Sequence, residues 1–285
     1  MSFAFFFPGQ GSQSLNMMNG FDGQTVIKAT FDEASAVLGQ DLWAMINGEH
    51  AETINETVNT QPLMLAAGIA TYRAYLEAGG KEPSVMAGHS LGEYTALVVA
   101  GSLSFVDALK LVRLRAELMQ SAVPQGTGSM AAILGLDDDA VRAVCAEAAQ
   151  GEVVEAVNFN SPGQVVIAGS IAAVERAIET AKAKGAKRAL PLPVSVPSHC
   201  LLMKPAAEKL AEALKTVDIQ PSKIPVIHNA DVASYDNVDQ IKDALVRQLY
   251  SPVRWTETVN ALVALGITQS AECGPGKVLA SLAKR

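Results

Sequence analysis

The sequence predicts an α/β fold: a parallel sheet with helices, and a smaller domain inserted into it. Three observations carry this reading. A short apolar run near the start, residues 3–7, reads as a strand buried on both faces. Strand-like and helix-like periods then alternate over most of the 285 residues. Between residues 128 and 195 the order becomes β-α-β-β-α-β, the split arrangement of ferredoxin-like domains.

Pro8-Gly9 interrupts the first strand, and a Gly-rich loop follows to Gln13. Residues 25–78 read as helices and turns, with 61–76 the clearest helix because Leu65, Ile69, Tyr72 and Leu76 recur at helical spacing. A short strand at 84–87 leads to a helix at 92–100 and a long amphipathic helix at 105–122. In the inserted stretch, 130–134 reads as a strand and 137–150 as a helix with acidic residues in its first turn, where the dipole favours them. Strands at 153–159 and 164–168 flank Asn160-Ser161-Pro162-Gly163, a hairpin-turn composition. A helix at 171–184 ends at Gly185, and a strand at 189–194 is placed at an edge by its prolines. Helices at 201–216, 238–250 and 256–265, strands at 225–227 and 268–272, and a last helix from 277 complete the chain. The predicted domains are 1–127 with 196–285, and 128–195.

Composition narrows the function. At 49% hydrophobic and 18% charged residues, the chain is too apolar for disorder. A net charge of −7 argues against a nucleic-acid partner, which calls for a basic face. Cys145, Cys200 and Cys273 form no disulfide or metal-ligand spacing, and four scattered histidines make no zinc motif. No apolar run approaches the roughly 20 residues that span a bilayer. The apolar start lacks a basic flank and is cut short by Pro8-Gly9, so it reads as a strand and not as a signal peptide. A cytoplasmic protein with no membrane partner is expected.

Gly88-His89-Ser90-Leu91-Gly92 fits G-x-S-x-G between a predicted strand and a predicted helix, the context of a nucleophile elbow. There the helix N-terminus stabilises developing negative charge. A serine nucleophile needs a base. His89 adjoins Ser90 and should diverge from it, and His50 lies in a polar stretch. His199, where the chain returns from the insert, is favoured by position, with His228 after a strand as its rival. No acidic residue completes a triad. Arg115 falls within the apolar side of its helix, among Ala108, Leu111, Leu118 and Met119. A buried guanidinium needs a partner, either an internal Asp or Glu or a substrate carboxylate. The loop Gly9 to Gln13 matches neither phosphate-binding glycine motif, but could lend a backbone N–H to an oxyanion. Lys182, Lys184, Lys187 and Arg188 form a basic cluster on an otherwise acidic chain.

Five stretches occur in order: Phe7-Pro8-Gly9-Gln10-Gly11-Ser12-Gln13, Gly88-His89-Ser90-Leu91-Gly92-Glu93-Tyr94, Asn158-Phe159-Asn160-Ser161-Pro162-Gly163-Gln164, Val196-Pro197-Ser198-His199 and Gly274-Pro275-Gly276-Lys277-Val278-Leu279. Together they resemble the malonyl-CoA:acyl-carrier-protein transacylases of bacterial type II fatty-acid synthesis, over nearly the whole chain. The resemblance implies a hydrolase-like α/β core with a ferredoxin-like insert. It implies Ser90 as the nucleophile that carries the malonyl ester, His199 as its base, and Arg115 as the grip on the malonyl carboxylate. It also implies the backbone N–H groups of Gln10 and Leu91 as the oxyanion hole, and the backbone carbonyl of Gln248 as the group that orients the histidine. Malonyl-CoA, coenzyme A and acyl carrier protein are the implied partners, with no cofactor and no metal.

Overall fold

The computed structural model describes residues 2–285. Strand β1 (Phe3–Phe7) leads through helices α1 (Thr25–Leu38), α2 (Leu42–Ile46), α3 (Ala51–Asn55) and α4 (Thr57–Glu77) to strand β2 (Val85–Gly88), then α5 (Gly92–Val99) and α6 (Phe105–Ser121). Next come β3 (Gly128–Leu134), α7 (Asp138–Ala149), β4 (Val154–Ser161), β5 (Gln164–Ser170), α8 (Ile171–Ala183) and β6 (Arg188–Pro191). The chain returns through a 3-10 turn (Leu201–Met203), α9 (Lys204–Leu214), β7 (Val226–Ile227), α10 (Val238–Gln248), α11 (Trp255–Ala264), β8 (Gln269–Glu272) and α12 (Val278–Leu282).

Four strands form a parallel sheet in the order β7-β2-β1-β8. β1 lies inside it, and its unbroken apolar run follows from burial on both faces. Phe5 and Phe7 enter one core cluster with Met86, Leu65 and Phe31. Ala4 and Phe6 enter another with Val85, Ala87, Ile227 and Trp255. Pairing of Phe7 with Gly88 sets the loop after β1 beside the turn after β2.

A second, separate sheet is antiparallel, in the order β4-β5-β3-β6. Helices α7 and α8 cover one face, where Ile133, Val144, Ile167 and Val174 meet. The other face meets Cys200 and Leu202 from the returning chain. Two backbone hydrogen bonds tie β4 to the larger part: Phe159 N–H donates to Val253 O at 3.0 Å, and Val253 N–H to Val157 O at 2.7 Å.

Three predicted elements differ most in extent. Helix α4 starts at Thr57, four residues before the expected start at 61, because Thr57, Asn59, Thr60 and Gln61 are polar yet buried and carry no apolar period. The last strand of the second sheet stops at Pro191, although it does lie at an edge; prolines 191 and 193 offer no N–H to extend the ladder. The expected helix at 201–216 divides into a 3-10 turn and α9, with Pro205 in the first α turn, where its missing N–H costs nothing. Among the described residues no helix is long and apolar enough to cross a membrane.

Candidate active site

β2 ends at Gly88 and α5 begins at Gly92, and between them Ser90 sits at φ 52°. A non-glycine residue there carries strain of roughly 1–3 kcal/mol and must be held by its surroundings. Asn229 and Gln248 supply that hold. Asn229 Oδ1 accepts the Ser90 N–H at 2.8 Å, and its Nδ2 donates to Gly88 O at 2.7 Å. Gln248 Nε2 donates to Ser90 O at 2.9 Å. The motif glycines serve a different need from the left-handed turn residue. A Cβ on Gly88 would collide with the Gly92 backbone, and one on Gly92 with the Phe7 carbonyl. Close approach of three backbone segments therefore requires both.

The turn presents the Ser90 hydroxyl to His199, with Oγ 2.7 Å from Nε2. His199 is buried, and its Nδ1 lies 2.7 Å from the backbone oxygen of Gln248. A carbonyl only accepts, so Nδ1 carries the proton and Nε2 is left as the acceptor facing the serine. Burial first, and the Arg115 charge second, push the His199 pKa from the ordinary 6.5 down to about 3. The imidazole is thus neutral and able to take a proton at neutral pH.

The other histidines are engaged elsewhere. His228 is buried with its Nδ1 3.1 Å from Glu93 Oε2, and the other oxygen of Glu93 accepts the Asn229 N–H at 2.6 Å. The rival candidate thus braces the residue that holds the elbow. His89 does diverge from Ser90: its Nε2 lies 2.8 Å from Asn160 Oδ1 and its ring packs 5.4 Å from Trp255. His50 is exposed beside Glu52.

Arg115 projects from α6 into the same place and is 1% exposed. Its Nη1 donates to Gln61 Oε1 at 2.6 Å. Its Nη2 donates to Gln248 Oε1 at 2.9 Å and reaches Ser90 Oγ at 3.2 Å. The guanidinium carbon lies 5.3 Å from the centre of the Tyr94 ring. Among the described residues no carboxylate pairs with it. Glu93 acts on it only through its field, since both Glu93 oxygens are already bonded. Arg115 Nε is buried with no partner. Of the two partners the sequence left open, the internal Asp or Glu is absent, and the cation remains without a counter-ion beside the serine.

The loop after β1 presses on the elbow: a Cβ on Gly9 would collide with His89 O and come within 3.5 Å of Leu91 N. Neither the Gln10 N–H nor the Leu91 N–H donates to an acceptor among the described residues. The Ser90 N–H, by contrast, is taken by Asn229. Two free backbone donors thus flank the serine from two strand ends, an arrangement suited to an oxyanion.

Residues 4–284 match the family model of the acyl transferase domain. The chain is 57% identical, over 99% of its length and 92% of the relative's, to the malonyl CoA-acyl carrier protein transacylase of Escherichia coli strain K12. The chain belongs to the malonyl-CoA:acyl-carrier-protein transacylase family. Two solved structures are similar throughout. One is an acyl-carrier-protein S-malonyltransferase from Burkholderia pseudomallei, at 61% identity and TM-score 0.98, covering all of this chain and 93% of that one. The other is a malonyl-transacylase in complex with its type II polyketide acyl-carrier protein, at 55% identity and TM-score 0.98, with the same coverage.

The structure of this transacylase puts Ser90, Arg115, His199 and Gln248 in direct contact and sets the loop that carries Gln10 against the turn that carries Leu91. It adds two residues that sequence reading missed, Asn229 and Gln61, and a side-chain role for Gln248. Asn229 secures the elbow, the Gln248 side chain binds both Arg115 and the Ser90 carbonyl, and Gln61 binds Arg115 from α4. Asn229 stood beside the rival His228, and Gln61 was a buried amide at a helix start; neither carries a motif. Among the described residues no cluster of His, Cys, Asp and Glu could hold a metal ion.

Proposed function

We propose that this acyltransferase moves a malonyl group from malonyl-CoA to the phosphopantetheine thiol of acyl carrier protein, through a malonyl ester on Ser90, and so supplies fatty-acid chain elongation. One observation carries the choice of acyl group: a buried guanidinium without a counter-ion lies 3.2 Å from a serine hydroxyl that also meets a neutral imidazole. That combination suits an acyl thioester with a free carboxylate at its far end.

In the first half-reaction the Ser90 proton passes to His199 Nε2 as Oγ attacks the thioester carbon. The N–H groups of Leu91 and Gln10 meet the oxyanion. The Gln248 carbonyl stabilises the imidazolium through Nδ1–H, which accounts for a site without a triad carboxylate. The carbon–sulfur bond breaks, and coenzyme A leaves with the proton from His199. In the second half the carrier thiol gives its proton to His199 and attacks the ester. Ser90 leaves and regains its proton. Arg115 holds the carboxylate throughout.

Residues 128–195 form a ferredoxin-like insert in a hydrolase-like core made of 1–127 and 196–285. The strand order β4-β5-β3-β6 and the separate core of that sheet support this division. The site lies at its seam, where Asn160 reaches His89 and His199 follows the returning chain. A cytoplasmic setting fits the three free, buried thiols.

Incubation with malonyl-CoA and a holo acyl carrier protein tests the reading. Malonyl-carrier protein and free coenzyme A are expected in step. Release of malonate without carrier loading would make the protein a thioester hydrolase. A module that only binds carrier protein would not need its serine and histidine in contact, and here they are 2.7 Å apart.

The basic cluster is smaller than its sequence suggested. Lys182 and Lys184 pair with Glu179 and Glu147, whereas Lys187 and Arg188 are exposed and have no acidic partner among the described residues. Lys187 and Arg188 are the part of the cluster proposed to steer an acidic carrier protein. Reversing both to Glu is expected to raise the carrier-protein KM and flatten its salt dependence while malonyl-CoA acylation is untouched. Unchanged carrier-protein kinetics would remove this patch from the account.

A further inference from the structure

Arg115 is held by amides, and the choice of amide over acid has a chemical consequence. Gln61, Gln248 and Arg115 are all almost fully buried. Hydrogen-bond polarity fixes how each amide is turned. A guanidinium only donates, so both Oε1 atoms face it. Gln248 Nε2 then meets two acceptors, Ser90 O at 2.9 Å and Asn229 Oδ1 at 3.3 Å. Gln61 Nε2 donates to Thr57 Oγ1 at 3.1 Å, and Thr57 gives its own proton to Gln10 Oε1 at 3.2 Å. Donation thus runs from α4 toward the loop after β1, and the guanidinium fixes the direction of the links at Gln61 and Gln248.

An acid in either place would bond the guanidinium equally well, but it would also neutralise it. A substrate carboxylate would then have to be desolvated beside a like charge and against a cation already paired, so it would be bound less well. We infer that the side chains of Gln61 and Gln248 form a neutral cradle that aims the Arg115 guanidinium and leaves it without a directly paired carboxylate, so that the carboxylate of the acyl group becomes the only one to bond it. Both are positioning residues: they act on selectivity through Arg115 and touch no reacting atom with their Oε1. The inference rests on the malonyl reading and refines it, since selectivity then depends on what is absent from the site as much as on the arginine.

The decisive variant is Gln61→Glu in the full chain. It keeps shape and the hydrogen bond to Nη1 while supplying an internal carboxylate. Acylation by malonyl-CoA and by acetyl-CoA is measured for each protein as kcat/KM. Gln61→Glu is expected to lower malonyl kcat/KM by roughly 100-fold or more and acetyl kcat/KM only by the smaller factor that Thr57→Val causes, since its second oxygen takes the Thr57 proton from Gln10, so their ratio collapses. Thr57→Val removes the link to Gln10 without adding charge, and is expected to lower both substrates together. Gln61→Met removes the aim of Nη1 without adding charge; it is expected to raise the malonyl KM about tenfold, with kcat and acetyl transfer little changed. That variant carries the test if Gln61→Glu does not fold.

A purely structural Gln61 would make every variant lower both substrates by one common factor, and that result overturns the cradle. So does a Gln61→Glu protein that keeps the native malonyl-to-acetyl ratio. Failure of the underlying malonyl reading looks different: the native chain itself would use malonyl-CoA and acetyl-CoA alike.

Discussion

Arg115→Ala is expected to collapse malonyl transfer while acetyl transfer falls little or rises. The guanidinium is buried beside Ser90, and among the described residues no carboxylate pairs with it. With malonyl bound, the pair is desolvated and able to use two parallel N–H···O bonds. Removing one member of such a pair costs about 3–5 kcal/mol, roughly 10²–10³·⁵ in rate. Acetyl-CoA brings no carboxylate and leaves the charge unpaired, so it loses little or gains when that charge is deleted. Arg115→Lys should recover only part of the malonyl activity, because an ammonium cannot form the fork and cannot reach Gln61 and Gln248 in the same geometry. The readout is the ratio of kcat/KM values for the two thioesters, with folding checked by thermal melt. An equal loss on both substrates would make the arginine structural.

His199→Ala is expected to slow acylation by roughly 10²–10⁴, the usual worth of positioned proton transfer. His228→Ala should slow it less, since His228 acts on Ser90 only by way of Glu93 and Asn229. A larger loss from His228 would reverse the assignment of the base. The pH profile follows from the depressed His199 pKa of about 3. Malonyl kcat/KM, which reports the free enzyme, should show no acid limb near the ordinary histidine value of 6.5. Stability moves differently. Between 6.5 and about 3 the unfolded chain binds a proton at this position and the folded one does not. The contribution of His199 to stability is therefore full above that window and is lost as pH falls through it. An acid limb near 6.5 in kcat/KM would show that His199 titrates as an exposed histidine.

Much of the site is legible because its chemistry is attached to unusual placements. Ser90 announces itself through two glycines that leave no room for a Cβ. Arg115 is a charge on the apolar side of a helix, and its burial follows from that position alone. The choice between His199 and His228 is not legible from residue type, because both follow strands and both are buried. It turns on contacts made across 109 and 135 residues, to Ser90 and Glu93. The role of Gln248 toward His199 is hidden for a different reason: every residue has a backbone carbonyl, so no side-chain pattern marks the one that faces the imidazole. Asn229 and Gln61 act over 139 and 54 residues through amides that a sequence shows as ordinary polar positions. The early start of α4 belongs with these. Its first turn is buried against the site by polar side chains, so the period that reveals the rest of the helix is missing there. In the fold, the apolar run of β1 and the β-α-β-β-α-β order are read directly, because burial on both faces and element order leave marks in local sequence.

The central claim is a malonyl ester on Ser90, and intact-protein mass spectrometry after brief incubation with malonyl-CoA tests it most directly. The account predicts a single added malonyl group on the native protein, mapped by peptide analysis to Ser90, absent from Ser90→Ala and discharged by holo acyl carrier protein. A protein that turns over malonyl-CoA with no covalent adduct, or that carries the adduct undiminished in Ser90→Ala, would contradict it.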